Sequence, residues 1–228
     1  MARAFGKIDA VLFDLDGTLI DTAPDMVAVL AELQRAHGLD PLPYETARAS
    51  VSNGALELIR LAFPKVEQDQ IEALHREYLA RYEDSVCMES RLYPDLPELL
   101  DDLDARDCPW GIVTNKPQRL TDPLLAGLGL TGRLSCSISG DSLPQRKPDP
   151  APLLLGCKQT GTAPRATVYV GDAARDIEAG RAAGMRTIAA AYGYIVPGDE
   201  PASWAPDAIA DSPKELAKIL SKAVSLEL

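Results

Sequence analysis

The stretch Val11, Leu12, Phe13, Asp14, Leu15, Asp16, Gly17, Thr18 constrains the fold more than any other part of the chain. Residues 8–14 form a nearly continuous apolar run, the pattern of a parallel strand covered on both faces rather than a strand with one wet side. The run then ends in carboxylates. In an extended chain the side chains at i and i+2 point the same way, so a strand carried through Asp16 aims Asp14 and Asp16 at one place. Carboxylates crowded together repel unless a proton or a cation lies between them. Gly17 lets the backbone approach a ligand closely.

A strand buried on both faces needs helices above and below it, and the rest of the sequence supplies them. Met26, Val29, Leu30 and Leu33 recur at helical spacing and stop at Gly38. Leu56, Ile59 and Phe63 mark a second helix ended by Pro64, and Ile71, Leu74, Tyr78 and Tyr82 a third. No strand pattern is evident over residues 20–92, which read as a helical insertion. After Pro94 helix and strand alternate. Leu96, Leu99, Leu100 and Leu103 make an amphipathic helix, and Trp110 to Val113 a strand ending at Thr114, Asn115 and Lys116. A helix over 120–128 and a strand over 134–139 follow, then a helix capped by Asp149 with Pro150 at its first position and closed by Gly161. A strand over 167–170 ends in Gly171 and Asp172, a helix over 176–183 stops at Gly184, and a strand spans 186–191. Ser212, Pro213, Lys214 and Glu215 form a capping box opening a last helix, with Leu216, Ile219 and Leu220 inward. The alternation predicts an α/β fold, a doubly wound (Rossmann-like) parallel sheet with an inserted α-helical domain. The division it implies is residues 1–20 and 93–228 for the core and 21–92 for the insertion.

Composition narrows the function. The chain has 228 residues, 46% hydrophobic and 25% charged, which is the balance of a soluble globular protein. A net charge of −11 makes a nucleic-acid partner a poor expectation, because phosphate backbones are held by clustered Lys and Arg. No apolar run approaches the roughly 20 residues of a membrane span. The first residues lack the apolar stretch of a secretory signal, so the expected location is the cytoplasm with no membrane partner. Cys87, Cys108, Cys136 and Cys157 show no C-x-x-C spacing, which argues against zinc and a disulfide framework and for small core residues. The two histidines, His37 and His75, sit beside no nucleophile in sequence, so Ser–His and Cys–His hydrolysis are poor candidates.

In open α/β sheets ligands bind beyond the carboxyl ends of the strands, and Asp14, Thr114 and Asp172 each end an apolar strand. Each alone reads as a turn or cap residue, and Lys147 alone as a loop lysine. Together their order and context resemble the four signature motifs of the haloacid dehalogenase superfamily of phosphotransferases. The first is Asp14, Leu15, Asp16, Gly17, Thr18; the second Thr114 with Asn115 and Lys116; the third Lys147 before Pro148, Asp149 and Pro150; the fourth Gly171, Asp172 and, three residues further on, Asp176. Ala173 stands where some members carry an adjacent Asp, but Asp172 and Asp176 both remain.

The resemblance implies phosphoryl transfer. Asp14 would attack phosphorus and become an aspartyl phosphate; Asp16 would protonate the leaving oxygen and then activate water. Mg²⁺ is the implied cofactor, held by Asp14, Asp172 and the backbone carbonyl of Asp16, with Asp176 orienting the metal's surroundings. Thr114 and Lys147 would hold the phosphoryl oxygens, with backbone N–H groups near Gly17 and Asn115 as further donors. The insertion over 21–92 looks like the family's helical cap, which would set specificity.

Within that cap, Ser52, Asn53 and Gly54 between Val51 and Ala55 are the expected substrate contacts, with Arg48 and Arg60 as nearby cations. The chain looks like the phosphoglycolate phosphatase subfamily. Val51 to Ala55 and the tail over 192–207, including Tyr194, Pro197 and Trp204, more closely resemble bacterial N-acetylmuramic acid 6-phosphate phosphatases. The expected partner is therefore a small anionic phosphorylated metabolite, bound by a monomer or homodimer. A dehalogenase would not need the acid at Asp16. A sugar phosphomutase and a non-catalytic phosphate- or metal-binding protein are the remaining alternatives.

Overall fold

The computed structural model describes residues 7–224. In chain order the elements are β1 (Ala10–Phe13), β2 (Ile20–Asp21), α1 (Ala23–Ala36), α2 (Tyr44–Arg48), α3 (Ala55–Ala62), α4 (Gln68–Asp84), β3 (Arg91–Leu92), α5 (Leu96–Ala105), β4 (Trp110–Val113), α6 (Gln118–Gly127), β5 (Cys136–Ile138), α7 (Ala151–Thr160), β6 (Thr167–Gly171), α8 (Ala174–Ala182), β7 (Arg186–Ala190), β8 (Ala208–Ala210) and α9 (Pro213–Val224). Six strands form one sheet in the order β5-β4-β1-β6-β7-β8, with every neighbouring pair parallel. This is the Rossmann-like α/β arrangement, with β1 central and the chain stepping outward first to one side and then to the other. The order reverses between β1 and β6, which is where such sheets open a crevice for ligands.

All four residues of β1 are fully buried. Val11 and Phe13 point to one face, against Leu100 of α5, Leu124 of α6 and Leu216 of α9, while Leu12 points to the other with Leu153 of α7 and Ala179 of α8. Covering both faces is what removes the polar alternation from the sequence of this strand. Burying each such side chain contributes about 1.5–3 kcal/mol, so the central strand is a rigid mount for whatever follows it. The register sets Phe13 against Ile112 and Val170, bringing the ends of β1, β4 and β6 to one edge.

Helices α1, α3 and α4 build a second apolar cluster around Leu30, Leu33, Leu58, Ile59, Tyr78 and Tyr82, closed from the sheet side by Leu120 and Tyr194. They leave and rejoin the sheet at the antiparallel pair β2 and β3, where Ile20 lies opposite Leu92 and Asp21 opposite Arg91. This ribbon falls in the span that shows no strand pattern, since two residues are too few to display a period. The helix α2 and the edge strand β8 also escape the sequence reading, both being short. Helix α7 starts at Ala151, so Pro150 rather than Asp149 is its N-cap, and Asp149, one residue further out, accepts from the Ala151 N–H through Oδ1 at 2.8 Å. At α9, Ser212 Oγ accepts from the Glu215 N–H, but Glu215 Oε2 reaches back to the N–H of Asp211, one residue before the expected partner. Cys108, Cys136 and Cys157 are buried and Cys87 is half-buried, and none is in a disulfide. Among the described residues no helix is long and apolar enough to cross a membrane.

Candidate active site

Four buried charged groups meet at the edge where β1, β4 and β6 end. Asp14 follows β1 and is tied to β6 by its N–H, which donates to the Val170 carbonyl at 2.8 Å. Lys147 is almost fully buried, and its Nζ lies 2.8 Å from both Asp14 Oδ1 and Asp176 Oδ1. These are ion pairs off the hydrogen-bonding direction; the ammonium donates to Tyr169 Oη at 2.8 Å, and Tyr169 donates in turn to the Val113 carbonyl. Asn115 clamps the Lys147 backbone, its Nδ2 donating to the Lys147 carbonyl and its Oδ1 accepting from the Lys147 N–H, each at 3.0 Å. The Asn115 side chain therefore fixes the lysine rather than presenting itself to a ligand.

Asp172 follows β6. Its Oδ2 accepts from Ser52 Oγ at 2.6 Å and from the Tyr194 N–H at 2.9 Å. Asp176, in the first turn of α8, accepts from the Ala173 N–H through Oδ2. Gly17 has φ +78°, and a Cβ there would stand 2.1 Å from Asp172 Oδ2, so glycine is required on both conformational and steric grounds. The Gly17 N–H donates to the Ile20 carbonyl within its own turn, which takes it out of the set of ligand donors.

Asp14, Asp172 and Asp176 each offer an oxygen within 4.8 Å of the others, and all three are buried. Their Oδ1 atoms are three of five buried side-chain polar atoms, among the described residues, that lack a hydrogen bond. Burial first, and then the charges of Asp14 and Asp176, push the Asp172 carboxyl up to about 7. Burial also raises Asp176, against the pull of Lys147. Even with Lys147 in contact and Arg175 acting on the same group, two cations face three carboxylates and leave negative charge in a low dielectric, and the all-oxygen donor set fits a hard divalent cation.

Asp16 is set apart from this cluster. Its Oδ1 accepts from Thr22 Oγ1 at 2.6 Å and from Lys116 Nζ at 3.0 Å. Burial works against the charge of Lys116, but Asp16 and Tyr82 outweigh it and hold the ammonium above the usual lysine range. Thr114, also buried, accepts from the Lys116 N–H through Oγ1.

A cavity of about 540 Å³ opens between the strand ends and α1, α3 and α4. Asp14, Asp16 and Thr114 lie on its floor, and Ser52, Asn53 and Gly54 all line it, with Arg175 donating to the Ser52 carbonyl. Much of the opposite wall is apolar, including Met26, Leu56 and Leu79. The cations singled out from sequence are elsewhere: Arg60 pairs with Glu57 in solvent, and Arg48 lies 4.9 Å over the Tyr194 ring. Arg146 and Arg175 take their place in the lining, together with His75, whose pKa is lowered by burial and then by Arg119 and Arg76. Arg146 and Arg175 stand within the stretches around the third and fourth motifs, but sequence reasoning gives them no role beside Lys147 and Asp176, and Tyr82 is missed because a tyrosine on an apolar helical stripe reads as core.

The fold and this cluster define a class. The chain belongs to the haloacid dehalogenase-like hydrolase family, whose model matches residues 11–190, and it is a phosphatase of that family. Among its relatives, N-acetylmuramic acid 6-phosphate phosphatase of Pseudomonas aeruginosa is 43% identical, over 96% of this chain and 97% of that one. Phosphoglycolate phosphatase of Xanthomonas campestris is 42% identical, over 91% and 94%. A crystal structure described as a predicted phosphoglycolate phosphatase from Haemophilus somnus matches with a TM-score of 0.83 and 29% identity, covering 93% of this chain and 98% of that one.

Proposed function

We propose that the protein is a Mg²⁺-dependent phosphatase acting on N-acetylmuramic acid 6-phosphate through a phosphorylated Asp14. The observation that carries this reading is the cavity. At about 540 Å³, with an apolar wall, it has the dimensions of a site for a substituted sugar, whereas a two-carbon acid phosphate would leave most of it to water. The Pseudomonas relative at 43% identity supports the same choice. The alternative, 2-phosphoglycolate, is favoured by the relatives of that name at 40–42% identity. Residues 21–92 would act as the cap that encloses the substrate, with Ser52, Asn53 and Gly54 as its polar contacts. A net charge of −11 weighs against a nucleic-acid partner, and the enzyme would be a cytoplasmic monomer or homodimer working on a small metabolite away from the membrane.

Asp14, Asp172 and the backbone carbonyl of Asp16 would hold Mg²⁺, with Asp176 fixing their arrangement. Bound there, the ion offsets the negative charge where phosphate and carboxylate meet. The carboxylate of Asp14 attacks phosphorus. Lys147, held at 2.8 Å from Asp14 Oδ1, offsets charge on the attacking group and, with Thr114 and the backbone near Asn115, positions the phosphoryl oxygens. Asp16 gives its proton to the departing alkoxide and then takes one from the water that hydrolyses the aspartyl phosphate.

The test is kcat/KM with Mg²⁺ for N-acetylmuramic acid 6-phosphate, for its analogue without the lactyl group, and for 2-phosphoglycolate. The reading expects values falling in that order, with at least about tenfold between the first two for a recognised carboxylate. Equal values for the first two, or a preference for 2-phosphoglycolate, would overturn the choice of substrate.

A further inference from the structure

Lys116 lies on the loop after β4, yet the group that fixes its ammonium comes from the helical insertion. Its Nζ bonds to Tyr82 Oη at 3.0 Å as well as to Asp16 Oδ1 at 3.0 Å, and it sits 4.6 Å from the centre of the Tyr82 ring. Tyr82 is in the last turn of α4, 1% exposed, and stacks on Tyr78, whose hydroxyl is anchored on the Met26 carbonyl of α1. The chain of contacts therefore runs from the packed helices to one oxygen of Asp16. Its other donor, Thr22 Oγ1, lands on the same Oδ1. Oδ2 is the oxygen left for a substrate in the cavity that Asp16 lines.

A purely structural account of this lysine is weak. Buried ion pairs contribute little net stability compared with apolar groups of the same shape, and the interior around Met26 and Tyr82 would accept one. The groups that the lysine organises lie instead on the floor of the cavity, beside Asp14.

We infer that Lys116 and Tyr82 are positioning residues for proton transfer by Asp16, holding Oδ1 so that the proton on Oδ2 points at the ester oxygen of the substrate. The inference rests on the assignment of Asp16 as the proton carrier. In the step concerned, the bond from Asp14 to phosphorus forms, the bond from phosphorus to the ester oxygen breaks, and the proton on Asp16 Oδ2 moves to that oxygen. Orientation of the acid is thus set from α4, the helix that also walls the substrate's site.

Loss of acid positioning has a signature that a folding or binding defect lacks: it depends on the leaving group. An alkoxide needs a proton to depart, while 4-nitrophenolate does not. The experiment compares kcat/KM, which reports all steps through departure of the alcohol, for N-acetylmuramic acid 6-phosphate and 2-phosphoglycolate against 4-nitrophenyl phosphate, with Mg²⁺ throughout. Lys116→Met should lower the values for the two alkyl esters by about 10²-fold and that for the aryl ester by less than about threefold. Tyr82→Phe, which keeps the ring and removes only the hydroxyl, should show the same selectivity at about fivefold. Equal losses on both kinds of ester, or no loss on either, would overturn the inference. Asp16→Asn is measured alongside: if it too shows no dependence on the leaving group, the error lies in the role of Asp16, and if it alone shows that dependence, the error lies in the roles of Lys116 and Tyr82.

Discussion

At the strand ends, Asp14, Lys147, Asp172 and Asp176 are each at most 4% exposed; Lys147 pairs with Asp14 and Asp176, and Asp172 is held by Ser52 and the Tyr194 N–H. Across the cavity, α1, α3 and α4 present Met26, Leu56 and Leu79, neutral side chains held by packing. The first region tolerates almost no change of residue type, because each charge is defined by the others. The second can change its shape one side chain at a time and leave the charges where they are. On the function proposed above, reaction and selectivity would thus occupy different surfaces of one cavity.

The contrast breaks if a change at the strand ends proves mild. Asp14→Asn should lower turnover by about 10⁴-fold or more while the circular dichroism spectrum is retained, since removal of a nucleophile is the most costly single change an enzyme of this kind can suffer. Near-normal Mg²⁺-dependent turnover would mean that Asp14 is not the nucleophile. Gly17→Ala tests the mount rather than the charge. The new methyl would lie 2.1 Å from Asp172 Oδ2 in a backbone conformation with φ +78°, so the loop or the carboxylate must move. A displacement of that size should lower kcat/KM by about 10²-fold and destabilise the fold by about 1–3 kcal/mol, measured by kinetics and thermal unfolding together.

Proton and cation compete for the same cluster. Asp172 titrates near 7 in the folded protein, well above the usual carboxylate value of 3.8, and burial raises Asp176 as well. A group whose folded pKa is raised stabilises fully below its unfolded pKa, and that stabilisation is lost as the pH climbs through the folded value. The metal-free protein should therefore lose several degrees of Tm between pH 5 and pH 8, an effect of at most about 4 kcal/mol. Mg²⁺ should restore more at pH 8 than at pH 5, because at the lower pH it must displace a proton. Thermal scans in chelator and in Mg²⁺ at the two pH values check both signs; a Tm that rises toward pH 8 without metal would show that the cluster is not the main titrating group.

What the sequence disclosed follows the same division. The parallel sheet was legible because β1 is apolar at every position and because strands and helices alternate after Pro94, whereas the motif positions were legible only together, through the resemblance of their order and context to the family's four signature motifs. Asp14, Asp172 and Asp176 come together as a cluster, and the long helices α1 and α4 match their spacing. The ribbon of β2 and β3, the helix α2 and the edge strand β8 are too short to carry a period. The cavity wall was illegible for another reason. Whether a tyrosine on a helical stripe ends in the core or against a buried ammonium depends on what packs opposite it, and spacing says nothing about that. Lys116 had no assigned role for the same reason: its partners Asp16 and Tyr82 are distant in sequence.

The smallest expected effect separates two arginines. Arg60, which lies close in sequence to the polar stretch Ser52 to Gly54, pairs with Glu57 at 2.5 Å with both side chains nearly half exposed. Arg146 lines the cavity one residue before Lys147, on the loop that Asn115 pins by the Lys147 backbone. An exposed pair of the first kind contributes almost nothing, whereas a cation on the rim of a substrate site can meet a second anionic group of the ligand. Arg146→Ala should raise KM for N-acetylmuramic acid 6-phosphate by about tenfold, with kcat and the KM of the analogue lacking the lactyl group little changed. Arg60→Ala should leave all three quantities within about a factor of two. If instead Arg60→Ala raises KM and Arg146→Ala does not, the carboxylate is read from the solvent end of α3, and the cavity lining is the wrong guide to selectivity.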